Sequence, residues 1–173
     1  MSEEPESNPF ASPSGDDEKP PEEVSTIPAP LAMAMLLGFL LMLFQIGEFV
    51  LVGTNGGTGP YALLGSAVLT MLITLGLIAH SGPTWAAARF YFLFQGVLST
   101  AFAVMAISLG KEPMAIVSGM VQCGFCLIIF LALGQASVRK YHQLECPQCH
   151  EVNAGGDDLL CFQRRCRNCG FRW

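Results

Sequence analysis

Four apolar runs set the pattern of this chain. They are Leu31–Val52 (22 residues, interrupted only by Gln45 and Glu48), Tyr61–Ala79 (19), Phe90–Leu109 (20) and Met114–Gln135 (22), the last three without a charge. About 20 helical residues, rising 1.5 Å each, cross the hydrocarbon core of a bilayer. A helix on a soluble protein shows a polar face with a 3.6-residue period; these runs are apolar all round. The pattern therefore predicts four transmembrane helices. Their connections are short: GTNGGTGP at 53–60, HSGPTWAA at 80–87 and GKEP at 110–113. Short loops make consecutive helices antiparallel neighbours. The expected fold is an all-α membrane protein, a four-helix up-down bundle over residues 31–137 with both termini on one side. It lies between an N-terminal tail (1–30) and a small C-terminal domain (138–173).

Composition sharpens this picture. Apolar residues are 51% and charged residues 13% of the 173, against a usual charged share of roughly 25%. Between Leu31 and Ser137 the only charges are Glu48, Arg89, Lys111 and Glu112, which excludes an ordinary soluble globule. Residues 1–30 carry eight of the fourteen acidic residues and seven of the eleven prolines. Such a segment is expected to be a disordered acidic tail, a solvating segment or one that docks on the basic C-terminal domain. It lacks the basic start of a signal peptide. Counting Lys and Arg by side puts Arg89, Arg139 and Lys140 nearest the membrane on one face and Lys111 on the other. The excess of positive charge predicts that both termini are cytoplasmic, and a bacterial inner membrane is the expected location. Trp85 and Tyr141 occupy places suited to interfacial anchors.

The candidate chemistry is C-terminal. Cys146-Pro-Gln-Cys149-His150 is followed by Cys166-Arg-Asn-Cys169-Gly170, with sixteen residues between Cys149 and Cys166. Two residues between cysteines let a tight turn aim both thiolates at one ion, and two such knuckles supply the four sulfurs of a tetrahedral Zn²⁺ site. Iron of the rubredoxin kind takes the same ligand set. A disulfide framework belongs to an oxidising compartment. Over about residues 144–173 the chain resembles the zinc-ribbon superfamily, whose knuckles commonly read CPxC and CxxCG. The resemblance implies a small β ribbon holding one structural zinc on Cys146, Cys149, Cys166 and Cys169, with no catalytic residue. His150 stands where many ribbons have glycine. About thirty residues bury too little surface to fold unaided, and structural zinc contributes roughly 10–16 kcal/mol to such peptides. Cys161, in the apolar stretch Leu159–Phe162, is expected to be a buried strand residue. His142 and His150 are spare candidate ligands.

Arg164, Arg165, Arg167 and Arg172, with Phe162, Phe171 and Trp173 among them, form a basic aromatic group. Single-stranded nucleic acid, the anionic leaflet and a protein partner all suit it. Tethering at a membrane, together with the net charge of −5, favours lipid or protein. Within the spans, Glu48 lies roughly 6 Å from the outer end of its helix, with Gln45 one turn inward and Gln122 at similar depth. An interfacial acid with interhelical hydrogen bonds is expected, a proton or cation pathway being the alternative. Small residues at helical spacing (Ala34/Gly38, Ala62/Ser66/Thr70/Thr74, Ala115/Gly119/Cys123) are expected to serve close helix packing, and homo-oligomers are possible. Cys123-Gly124-Phe125-Cys126 looks like the redox motif of thioredoxin-like proteins. A CxxC in the fourth helix of a membrane bundle also resembles vitamin K epoxide reductases, although the outer loop here has no cysteine to relay electrons. The expected function is a non-enzymatic membrane anchor presenting a zinc ribbon to a cytoplasmic protein or lipid. The alternatives are a thiol-disulfide oxidoreductase using Cys123 and Cys126, and a transporter or channel subunit using Glu48.

Overall fold

A computed structural model describes residues 26–54, 60–110, 113–152, 165–166 and 168–172. The expectations for the acidic tail up to residue 25, for Cys161 and for Arg164, Arg167 and Trp173 lie outside these residues. The described chain is mostly helical: α1 (Ala29–Thr54), α2 (Pro60–Gly76), α3 (Gly82–Ser108), α4 (Pro113–Leu133) and the short α5 (Ala136–Tyr141).

Prolines mark the starts. A proline in the first turn of a helix gives up an N–H that would lack an intrahelical partner anyway. Pro30, Pro60, Pro83 and Pro113 all stand there. The Pro28 carbonyl receives the N–H groups of Leu31 and Ala32 at 2.9 and 3.0 Å. Ser81 caps α3, its extended backbone (φ −132°, ψ 142°) placing the hydroxyl to accept from the Thr84 N–H. After α3, Gly110 takes φ +61° and donates to the Ile107 carbonyl at 3.1 Å, a left-handed stop that glycine makes at no steric cost.

Three of the helices, α1, α3 and α4, are long and apolar enough to cross a membrane, which fits an all-α membrane protein. α2 is shorter than its apolar run. Its 17 residues rise about 25 Å, against about 30 Å of hydrocarbon. Its α-helical span ends at Gly76, and Leu77–Ala79 continue as turns, with Ile78 and Ala79 bonding the carbonyls three residues back at 3.1 and 3.0 Å. The chain then needs His80 and Ser81 extended to cap α3.

α1 packs against α2 and α4, and α3 packs against α4. The small residues permit the approach. A Cβ added at Gly119 would stand 2.9 Å from the Ala103 Cβ and 3.0 Å from the Ser99 carbonyl. Gly38 lies still more tightly against the Thr74 side chain. Hydrogen bonds join the same helices. The Glu48 carboxylate of α1 accepts from Ser118 and Gln122 of α4, and Gln122 accepts from Ser99 of α3 at 3.3 Å. Gln45 does not join this group. Its amide oxygen accepts from Thr70 of α2 at 3.2 Å, and the Thr70 hydroxyl meets the Tyr91 hydroxyl of α3 at 2.7 Å. Gln45 stands one turn inward of Glu48, and that offset gives the two side chains different neighbours.

α5 and the residues after it pack back onto the helix ends. Val138, Tyr141, His142 and Leu144 are buried. The Tyr141 hydroxyl donates to the Ile78 carbonyl at 3.3 Å, and its ring lies 4.0 Å from that of His80. The Trp85 indole N–H donates to the Leu133 carbonyl at 2.8 Å, so both sequence-predicted anchors are hydrogen-bonded inside this joint. Burial drives the His142 imidazole down to about 4; the Ala79 and Ser81 carbonyls offset part of the effect and His80 adds to it.

Two outcomes follow from this packing. Gly119→Leu should lower the thermal midpoint in detergent, overpacking of this kind costing about 1–3 kcal/mol. Gly124→Leu, with open space around its Cβ position, should not. The second concerns acid. His142 is neutral when folded and titrates near 6.5 when unfolded, so protons favour the unfolded chain as pH falls from about 6.5 to about 4. His142→Phe should therefore lose less thermal stability than the parent between pH 7.5 and pH 5; equal losses would refute this role for the imidazole.

Candidate metal centre

The two knuckles adopt one local design twice. In the first, the Cys146 N–H donates to the Glu151 carbonyl at 3.0 Å, and the His150 N–H donates back to the Cys146 carbonyl at 2.9 Å. In the second, the Cys166 N–H donates to the Phe171 carbonyl at 2.7 Å, and the Gly170 N–H donates to the Cys166 carbonyl at 2.9 Å. Each turn is flanked by one antiparallel bridge, Glu145 with Val152 and Arg165 with Arg172. Among the described residues these isolated bridges are the β pairing present, and no longer strand of the expected ribbon is seen there. The closed turns already use the backbone groups nearest the cysteines, and the insert at 153–164 is outside the description.

The turns bring Cys146, Cys149, Cys166 and Cys169 together. Their sulfurs all lie within 4.8 Å of one another. Across the knuckles, Cys146 and Cys169 are 3.6 Å apart, and Cys149 and Cys166 are 3.4 Å apart. Sulfurs tetrahedrally placed at 2.3 Å from one zinc are separated by about 3.8 Å. All four cysteines are free of disulfides, and the shortest S···S distance is far above the 2.05 Å of a bond. The cluster is within metal-binding distance and fits a zinc-ribbon-like site. Cys146 and Cys166 are buried while Cys169 is exposed, so the site lies at the protein surface with one edge to solvent.

The thiols respond to this crowding. The Cys169 N–H, with that of Asn168, pulls the Cys166 thiol down to about 6 despite lost hydration. Cys169 accepts from the Phe171 N–H, which favours its thiolate, yet desolvation and the three neighbouring sulfurs push it up to about 12. Four adjacent thiolates repel one another, and a shared cation removes the conflict.

His150 is outside the ligand group. Its ring Nδ1 is 3.2 Å from Glu145, which also pairs with Lys140 at 3.3 Å. His142 is likewise not part of the sulfur cluster and serves the joint instead. The exposed residues near the second knuckle include Arg165, Phe171 and Arg172, a fraction of the basic aromatic group expected there. In the membrane-facing part, Cys123 accepts from the Thr100 hydroxyl at 3.2 Å, Cys126 is buried, and both are free thiols. Sequence reasoning did not single out Ser118, Ser99 or Tyr91 as polar partners. Serine, threonine and tyrosine occur widely in helices, and only the helix pairing selects these.

The chain matches no protein-family model, no curated protein and no solved structure.

The repeated turn design generates a test. The residue after the second cysteine is left-handed in both knuckles, His150 at φ 55° and Gly170 at φ 75°. That conformation costs a non-glycine residue about 1–2 kcal/mol. His150→Gly should hold Zn²⁺ at least as tightly as the parent in chelator competition. His150→Val, with a branched side chain poorly suited to positive φ, should hold it several-fold less tightly. Equal retention by Val would show that the turn does not govern the site.

Proposed function

We propose that the chain is a non-enzymatic membrane anchor that holds a structural zinc ribbon against the cytoplasmic face of a membrane for recognition by a protein partner. The observation that carries this reading is the packed joint. The Cys146–Cys169 centre follows a segment whose Val138, Tyr141, His142 and Leu144 side chains are buried on the helix ends, so it is held in place and does not swing on a free tether. Four protein sulfurs would close the coordination sphere, leaving no position for water or substrate. Bound zinc would supply crosslinking, standing in for a core this small domain lacks.

In this reading α2 makes a fourth crossing, its tighter turn through Ala79 extending its reach, and the helices form an up-down bundle with both termini cytoplasmic. Arg89, Arg139 and Lys140 support that orientation. A bacterial inner membrane fits such a protein. Arg165, Phe171 and Arg172 would offer the partner a basic surface with an aromatic ring.

The deciding experiment is metal analysis with thiol counting on the full chain in detergent. One zinc per chain is expected, lost in Cys166→Ser and retained in a Cys123→Ser/Cys126→Ser variant. The thiols of Cys123 and Cys126 should stay reduced when a quinone is added. Absence of metal, or a Cys123–Cys126 disulfide that forms and turns over with quinone, would replace this reading with redox chemistry in the membrane.

A further inference from the structure

An open cavity of about 450 Å³ runs between α3 and α4 on their outer side, lined by apolar side chains and by Thr100 and Cys123. One end of it carries charge. Arg89 lies one turn from Phe92 along α3, toward the end of the helices that bears α5. Its guanidinium is 4.4 Å from the centre of the Phe130 ring, and Phe130 itself lines the cavity. The Trp85 ring lies 5.0 Å from the same guanidinium. Its terminal nitrogen reaches the end of α4, 3.7 Å from where a Cβ on Gly134 would stand.

A second cation is close. Arg139 of α5 is near enough to act electrostatically on Arg89. The Nε of each is buried and has no hydrogen-bond partner. Among the described residues the ion pairs go to Lys140 and His150, both with Glu145, and neither arginine has a carboxylate in reach. Two half-buried guanidiniums of like charge with no carboxylate beside them match a phosphate, which can accept from the ends of both and neutralise both.

The dimensions favour a lipid as its source. Arg89 and Thr100 are eleven residues apart on one helix, about 16 Å, close to half of a 30 Å hydrocarbon core. That is the depth of one leaflet, with the charge at the headgroup level and the cavity reaching the midplane. We propose that Arg89 and Arg139 bind the phosphate of an anionic phospholipid whose acyl chain occupies the α3–α4 cavity. This inference is independent of the metal centre.

Native mass spectrometry of the full-length protein, titrated with phosphatidylglycerol and with phosphatidylcholine of identical acyl chains, tests it. Two basic residues at an anionic surface correspond to a preference of roughly ten- to thirty-fold for phosphatidylglycerol. Arg89→Gln/Arg139→Gln should abolish the preference. Ala101→Phe, which fills the cavity from its exposed side and leaves the charges intact, should weaken retention of both lipids. Unchanged metal content and elution volume would show that each variant is folded. If the double variant fails this check, the wild-type preference and Ala101→Phe decide. Equal retention of the two lipids by the parent chain overturns the proposal, since the guanidiniums are then idle or neutralised by the chain's own acidic residues. A lost preference in the arginine variant with no effect of Ala101→Phe also overturns it, because the site would then hold an anion without a chain.

Discussion

Hydrocarbon offers a peptide group no hydrogen-bond partner, and the layout of this chain follows from that constraint. The apolar segments close their backbone bonds within helices. Some of the polar side chains among them find partners on neighbouring helices: Glu48 with Ser118 and Gln122, Gln45 with Thr70. These contacts orient the helices at positions where apolar side chains alone would permit rotation. Glycine at 38 and 119 then sets how near the backbones come. Charge is displaced to the ends, where it collects beside α5.

Outside the helices the difficulty is reversed. Water satisfies the backbone there, but the segment after α5 has little apolar surface to bury. Its order rests on paired turns, each closed by two backbone bonds around a cysteine, and on the burial of Tyr141 and Leu144 against the helix ends. The joint therefore has two duties: it completes the packing of the helices, and it gives the first cysteine turn a fixed base.

Much of this was legible in the sequence, for physical reasons that differ by element. Apolar length identified α1, α3 and α4, because a run of about 20 residues with at most one charge has few other uses. Cysteine spacing identified the sulfur cluster, because two residues between thiols define a turn. The α2 boundary was not legible: hydropathy continues through Ile78 and Ala79 whether the backbone stays α-helical or tightens. Nor was the joint, since Val138, Tyr141 and Leu144 are spaced like any short amphipathic segment, and His142 gave no sign of burial. Arg89 was read only as a topological vote. Its place beside Trp85 and Phe130 depends on α4 lying alongside α3, a pairing that loop length implies but does not locate.

The two knuckles are near copies in backbone but differ where the left-handed residue falls. One carries glycine, a bare turn. The other carries an imidazole that is largely exposed and held toward Glu145. A pair of matching turns around one centre would look the same from either approach. The imidazole, together with Pro147-Gln148 where the second knuckle has Arg167-Asn168, removes that equivalence, so the two sides of the sulfur centre are chemically distinct.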